Sequence, residues 1–459
     1  MGFQNIKKMN KKTRTLIDLD RLHVWHPFTQ MKEWRSEDPL IIEKGKGNRI
    51  MDTEGRKYLD GVSSLWANVH GHGKKEIDLA IKAQLRKIAH STLLGLGNVP
   101  SIELARRLTA IAPKGLNKVF YSDNGSTAVE IALKMAFQYW EQTEKNNAKK
   151  KFIAFTGAYH GDTFGSMSVG EIDIFVRKYR PLLFETLRAP YPYCYRCPVK
   201  KTYPGCRMAC LDVFENMLGK RHKEIAACVI EPGFEGAAGI ITPPPGFLRG
   251  VRRLTRRYGV LLIADEVAAG FGRTGHMFAC GAEGVSPDIL CLAKGLTGGY
   301  LPLAATLSTD RIYRAFLGGH DEFKAFFHGH TYTGNPLGCA AAMANLDLFE
   351  SENTLAALKD RIALLRGLLK GLAELPHVGD IRQAGLVAGI ELVKDKETKE
   401  PYPAGDRTGY SVCMEARGRG LIIRPLGDTI VLMPPLSIKE NELKKIVNIT
   451  RGCIKRLAR

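Results

Sequence analysis

No apolar run in the 459 residues approaches the length of a membrane-spanning helix, and the longest are strand-sized. Nothing in the sequence therefore argues for a helical membrane protein. The N-terminus, MGFQNIKKMNKKTRTLIDLD, is basic but lacks the apolar core of a secretory signal. Its acidic residues Asp18 and Asp20 also sit poorly with a transit peptide, so the expected location is cytoplasmic. Internal repeats and low-complexity segments are missing, which excludes a repeat architecture. Acid is scarce relative to base: 47 Asp and Glu stand against 67 Lys and Arg, for a formal charge of +20. Such a surplus raises nucleic acid or a membrane surface as partners. The basic residues are nevertheless spread along the chain, dense only in KKMNKKTR at 7–14, RRLTRR at 252–257 and the C-terminal tail. No aromatic-interleaved basic module accompanies them. The charge is read as solubility and attraction of anionic metabolites, with neither nucleic acid nor membrane expected as a partner.

What is present is an ordinary globular composition, 44% hydrophobic and 25% charged. From residue 117 apolar strands alternate with helical patterns: NKVFYS, a helix, KFIAF, ACVIE, a helix, VLLIAD, ILCLAK, LAATLS. This alternation predicts an α/β fold with a mostly parallel sheet covered on both faces. The segment to about 65 reads as irregular, then as a small sheet over 40–61. Helices are expected from about 76 to 89 and from 101 to 112, the latter capped by Ser101. A Leu/Ala-rich helix pair is expected over 345–375. Strands near 386–393, 421–423 and 430–433 follow, with helices near 405–419 and 440–456. The best partition is a large domain over 70–345 and a smaller α+β domain made from both chain ends, 1–69 and 346–459.

Two strand ends carry the chemistry. VLLIAD ends in Asp265, followed by Glu266, and ILCLAK ends in Lys294 before a Gly-rich turn. Neighbouring parallel strands deliver such residues into one crevice at their carboxyl ends. An amine that forms a Schiff base and a carboxylate that holds a pyridine nitrogen protonated are what pyridoxal phosphate requires. Either residue alone is more simply a cap or a solvated strand-end lysine; the pair favours the chemical reading. YSDNGSTAVEIALKMAFQYW at 121–140 is a strand, a turn and a long helix whose Thr127 and Glu130 fit a capping box. Asn124, Gly125 and Ser126 at its start could cradle a phosphate. In AYHGDTFG, Tyr159 and His160 could stack on a planar cofactor and Asp162 could face a substrate amine. Thr331, in FFHGHTYTGNP, could donate a hydroxyl to a phosphate. Arg424 ends an apolar strand and suits carboxylate recognition.

Of the ten cysteines, Cys228, Cys280, Cys291, Cys339, Cys413 and Cys453 read as small buried hydrophobes. The other four, in CYRCPVKKTYPGCRMAC at 194–210, have the spacing C-x2-C-x8-C-x3-C. Cys194, Cys197, Cys206 and Cys210 could hold zinc or an iron–sulfur centre, or form a loop of reduced thiols; the spacing leaves the metal unknown.

Together, WHPFTQM, SDNGSTAVEIALKMAFQYW, YHGDTFGSMSVG, DEVAAGFGRTGHMFAC, KGLTGGYLPLAATLST, HGHTYTGNPLGCA and RPLGD resemble the class III pyridoxal-phosphate aminotransferases of fold type I, from about residue 20 to the C-terminus. The resemblance implies Lys294 as the cofactor-binding lysine, Asp265 as the partner of the pyridine nitrogen, and Gly125 and Ser126 as phosphate ligands. It implies that His330 and Thr331 reach the phosphate from a second subunit, hence a homodimer. Tyr159 would lie against cofactor and substrate, Gly329 would line the substrate pocket, and Arg424 would bind a substrate carboxylate, with Arg273 and Asp162 as further pocket candidates. Within the family the features are most like a branch that aminates 8-amino-7-oxononanoate in biotin synthesis. That branch often has Tyr where this chain has Phe28, and a tryptophan pair where it has Leu65 and Trp66. The departure leaves the donor between adenosylmethionine and lysine. The alternatives are another ω-aminotransferase of the class, acting on ornithine, 4-aminobutyrate or a polyamine, a racemase or mutase of the class, and, from a different class altogether, a non-enzymatic basic protein that binds nucleic acid.

Overall fold

The computed structural model describes residues 9–143 and 148–458. Lys7 and Lys8 of the basic N-terminal stretch, and Arg459 of the C-terminal tail, lie outside them. The centre is a seven-stranded sheet built, in chain order, from β1 (Leu116–Ser122), β2 (Lys151–Phe155), β3 (Thr186–Ala189), β4 (Ile225–Ile230), β5 (Leu261–Asp265), β6 (Ile289–Leu292) and β7 (Ala304–Thr309). Its spatial order is β1-β7-β6-β5-β4-β2-β3. The pairs from β6 through β3 are parallel, and β7 runs antiparallel to both β1 and β6. The exception has a local cause: the link from β6 to β7 holds one tight turn and two left-handed glycines, Gly298 and Gly299, and no crossover helix. Parallel pairing needs such a crossover.

Both faces of the sheet are covered, so the central strands are apolar throughout rather than alternating. In β5, Leu261 and Ile263 pack into one buried cluster with Ile131 and Ala132 of the helix Gly125–Thr143. Leu262 and Ala264 point to the opposite face, toward Phe247, Val251 and Leu254 of the helix Phe247–Arg257. The sequence expectation missed only the short edge strand β3, whose four residues alternate in burial.

Two small sheets flank the large one. Ile42–Lys46, Arg49–Asp52 and Lys57–Asp60 form a meander, and Leu421–Ile422 adds to it in parallel, so both chain ends share this sheet. The other is antiparallel, from Val378–Ala384, Val387–Leu392, Thr429–Leu432 and Arg424–Leu426. The segment read as irregular contains a helix, Lys11–His23, capped by Asn10, whose side chain accepts from the Thr13 N–H. The helix Val99–Ile111 is capped by Asn98, three residues before the expected cap Ser101, whose N–H donates to it. The expected helix pair is Pro336–Ser351 and Thr354–Ala373, and the first of these runs across residue 345.

That helix also secures the turn after β6. Asn345, fully buried, donates from Nδ2 to the Gly295 and Leu296 carbonyls at 3.0 Å each. Its removal takes a donor from both carbonyls, of which that of Gly295 keeps the Gly298 N–H at 3.0 Å. Asn345→Ala is expected to cost about 1–3 kcal/mol in chemical denaturation, and a change near zero would show that the turn needs no such clamp.

Candidate active site

Register alone brings three titratable groups together. Ile230 pairs with Ala264 and Asp265 with Cys291. Glu231, Asp265 and Lys294 therefore leave three adjacent strands at their carboxyl ends, beside a cavity of about 560 Å³ that all three line. The cavity receives Phe28, Leu65 and Trp66 from the N-terminal segment, and Gly125 and Ser126 from the helix start. Tyr159 and Asp162 enter from the loop after β2, and Arg424 from the C-terminal sheet.

Lys294 faces into the cavity with Nζ 5.5 Å from the centroid of the Trp66 ring. Burial pushes its amine below the ordinary lysine range, against the opposing pull of Asp265 and Glu231. Its backbone is left-handed (φ 29), as are those of Trp66 (φ 66) and Phe28 (φ 52), two other residues of the wall. Non-glycine residues hold such angles only when their surroundings fix them. For Lys294 the surroundings include the Asn345 clamp on the next two carbonyls.

Asp265 is held on both oxygens: Oδ1 accepts from the Val267 N–H at 3.0 Å, and Oδ2 lies 2.8 Å from His160 Nδ1. His160 is buried, lines the cavity and turns its Nδ1 to this carboxylate. Glu266, adjacent in sequence, turns away and caps a short helix through the Ala279 and Cys280 N–H groups at 2.6 and 2.8 Å. The carboxylate pair divides into one site residue and one scaffold residue.

Glu231 was not singled out in the sequence. It accepts from the Tyr159 N–H at 3.0 Å and the Gly236 N–H at 3.0 Å, and burial raises its carboxyl to about 7. The signal was available, since ACVIE ends in an acid just as VLLIAD does. Tyr159 donates its hydroxyl to Asp162 Oδ2 at 2.8 Å, and burial raises its phenol well above the usual range.

The helix start differs in detail from the expected capping box. Asn124 and Thr127 cap each other: Asn124 Oδ1 accepts from the Thr127 N–H at 3.1 Å, and Thr127 Oγ1 accepts from the Asn124 N–H at 3.2 Å. Glu130 instead accepts from the Gly165 and Ser166 N–H groups, which ties the helix to the loop after β2. A Cβ on Gly125 would stand 2.5 Å from Val267 Cγ1, so the helix start lies directly against the turn that follows Asp265. Ser126 Oγ accepts from the Thr163 N–H at 3.0 Å.

Some expected residues are not brought in. Arg273 is buried outside the cavity wall, where its guanidinium donates to the Pro434 carbonyl at 2.5 Å, the Asn68 carbonyl at 3.2 Å and Ser63 Oγ at 3.3 Å. It ties the N-terminal segment to the C-terminal part. Gly329, His330 and Thr331 also lie off the wall of the cavity in their own chain. Gly329 and Thr331 are exposed, and His330 Nδ1 lies 2.7 Å from Asp123 Oδ2 without making a hydrogen bond. Tyr300 and Thr297 line the cavity without having been expected to.

This donor set fits pyridoxal phosphate. Lys294 offers a desolvated amine and Asp265 a carboxylate fixed on both oxygens. A helix start offers N–H groups with no carbonyl one turn back to receive them. Trp66 Nε1 is a buried donor without a partner among the described residues, on the wall that faces the same space.

Comparison with known proteins agrees. The family model described as aminotransferase class-III matches residues 31–454. The adenosylmethionine-8-amino-7-oxononanoate aminotransferase of Nitratidesulfovibrio vulgaris is 58% identical over 444 residues, 96% of this chain and 82% of that one. The protein of the same name from Geobacter sulfurreducens is 57% identical, covering 95% of this chain and 96% of its own. The crystal structure of the one from Methanocaldococcus jannaschii superposes with a TM-score of 0.92 at 49% identity, over 96% of this chain and 99% of that one. An ω-transaminase from Pseudomonas jessenii in complex with PMP also reaches 0.92, at 32% identity, covering 96% and 98%. The chain belongs to the class III aminotransferases, pyridoxal-phosphate-dependent transaminases of fold type I.

Proposed function

We propose that this enzyme transfers an amino group from S-adenosylmethionine to 8-amino-7-oxononanoate, giving 7,8-diaminononanoate for biotin synthesis. The single observation that carries the reading is identity above one half, over nearly the whole chain, to two proteins that bear this activity in their names. Pyridoxal phosphate, when bound, supplies an electron-withdrawing ring that stabilises charge on the carbon carrying the amine. The rest falls to the chain's own groups. Lys294 would hold the cofactor through Nζ, and its amine, with its lowered basicity, would be the group that holds and moves the proton at the donor carbon. Asp265, oriented by His160 and Val267, keeps the pyridine nitrogen protonated. Gly125 and Ser126 hold the phosphate, and Tyr159 shields the ring on the side toward the substrate.

Arg424 reads the carboxylate of the keto acid. Phe28, Leu65 and Trp66 form the apolar wall against which the donor lies, and Asp162 is placed to meet its amine. Gly329, His330 and Thr331 complete the site from a second copy of the chain, which makes the enzyme a homodimer with shared sites. The same reading takes 70–345 as the cofactor-binding domain and 1–69 with 346–459 as the smaller one, and places the enzyme in the cytoplasm. Among the described residues no helix is long and apolar enough to cross a membrane.

The donor is tested by adding adenosylmethionine and lysine separately to the holoenzyme and following the cofactor absorbance. Adenosylmethionine is expected to convert the band and 8-amino-7-oxononanoate to restore it; conversion by lysine alone would reassign the donor. The 32%-identical ω-transaminase of equal TM-score favours a second reading, a broader ω-aminotransferase. Restoration by other keto acids but not by 8-amino-7-oxononanoate would establish that one instead.

Glu231 generates a pH dependence. Its carboxyl titrates near 7 in the folded chain against an ordinary value of 4.5, so between those values the folded state keeps a proton that the unfolded state has lost. Stability therefore falls as pH rises through that window and levels off above it. Relative to Glu231→Gln, the wild type should lose about 1–3 kcal/mol between pH 4.5 and 7 in chemical denaturation. A flat difference would mean that Glu231 is already ionised when buried.

A further inference from the structure

The four cysteines of 194–210 take no part in the cavity at the strand ends. They line a second, separate pocket of about 10 Å³, whose wall also includes Pro192 and Met208. Cys194 is exposed, Cys197 and Cys206 are half-buried and Cys210 is buried, so the cluster runs from the surface inward. Electrostatically they feel one another: Cys197 and Cys206 act on Cys194, and Cys194 and Cys206 act on Cys210.

Each half of the cluster carries backbone that favours negative sulfur. The Lys201 N–H donates to Cys197 Sγ at 3.4 Å. It does so across a turn in which Lys200 is left-handed (φ 53) and donates its own N–H to the Cys197 carbonyl at 3.0 Å. Cys210 lies in the first turn of the helix Ala209–Arg221, where the N–H groups of Cys210 and Leu211 lower its thiol pKa. Burial outweighs them and raises the Cys210 thiol to about 11, and it raises Cys194 as well. A divalent cation bound there would take the sulfurs as thiolates.

We propose that Cys194, Cys197, Cys206 and Cys210 bind one zinc ion in a closed tetrahedral thiolate site. Four sulfur ligands, with no place kept for substrate, are the set of a structural zinc site. The small pocket suits a single ion; a cluster of several iron and sulfide atoms needs more room. Among the described residues no three ligating groups already stand in metal geometry. Binding draws the sulfurs inward, and each cysteine releases its proton to solvent as its bond to zinc forms.

The site lies beside a junction. Tyr193 and Arg196 both donate to Glu391 of the C-terminal sheet, Arg196 at 2.7 Å. Arg382 binds the same carboxylate at 2.6 Å and the Gly239 carbonyl at 2.8 Å. Ala237, two residues before Gly239, lines the active-site cavity. The zinc thus fixes the loop that joins the large sheet to the C-terminal sheet.

The test is the metal content of the full-length holoenzyme purified without chelator, read by plasma mass spectrometry. One zinc per chain is expected, released by an organomercurial thiol reagent. Cobalt(II) in its place is expected to give a sulfur-to-cobalt charge-transfer band. The double variant Cys194→Ser, Cys197→Ser should lose the metal and melt at a lower temperature while keeping its cofactor absorbance. Absence of zinc, together with failure of the reduced protein to take up equimolar zinc, would overturn the proposal. So would iron with acid-labile sulfide, or zinc that persists in the double variant. If the variant does not fold, the wild-type measurements decide alone.

Discussion

An amine and two carboxyl groups, Lys294, Asp265 and Glu231, share one poorly solvated crevice, and the balance among them governs the site. Burial works against charge on Glu231 and Lys294. Asp265 is compensated by His160 and a backbone N–H. Glu231 is only partly compensated and is raised to about 7; Lys294 is lowered in spite of both neighbours. The outcome is a carboxylate ready to hold a proton on another group, beside an amine ready to give and take one.

The scaffold serves that balance. The parallel register of β4, β5 and β6 sets Glu231 and Asp265 at one level, and the turn after β6 brings Lys294 to the same cavity. The tight turn after β6, clamped by Asn345, forces Lys294 into a left-handed backbone that a free strand end would not adopt. The same turn reverses β7. Strain at the lysine and the antiparallel strand are thus two results of one short connection.

The large sheet was legible because strands buried on both faces are uninterrupted apolar runs, and their ends carry acid or lysine. Short elements were less so: β3 alternates over only four residues, and Val378–Ala384 is mostly half-buried without a regular period. The caps at Asn98 and Asn124 were misplaced because several polar residues compete for each role, and only tertiary contacts choose among them. Glu130 left its expected box for the loop after β2 for that reason. Arg273 looked like a pocket residue from its motif, yet its guanidinium donates to backbone carbonyls and a serine. Gly329 to Thr331 lie off the wall of the cavity in their own chain, which their motif alone gave no sign of.

If Lys294 is the cofactor lysine, its loss is visible directly. Wild-type enzyme reconstituted with pyridoxal phosphate and reduced with borohydride should carry the label covalently on the peptide containing Lys294, found by mass spectrometry. Lys294→Ala should bind the cofactor without being labelled, and its turnover should fall by about 10²–10⁴-fold or more. Covalent label on the wild type at any other lysine, or a Lys294→Ala variant still labelled and active, would contradict the account.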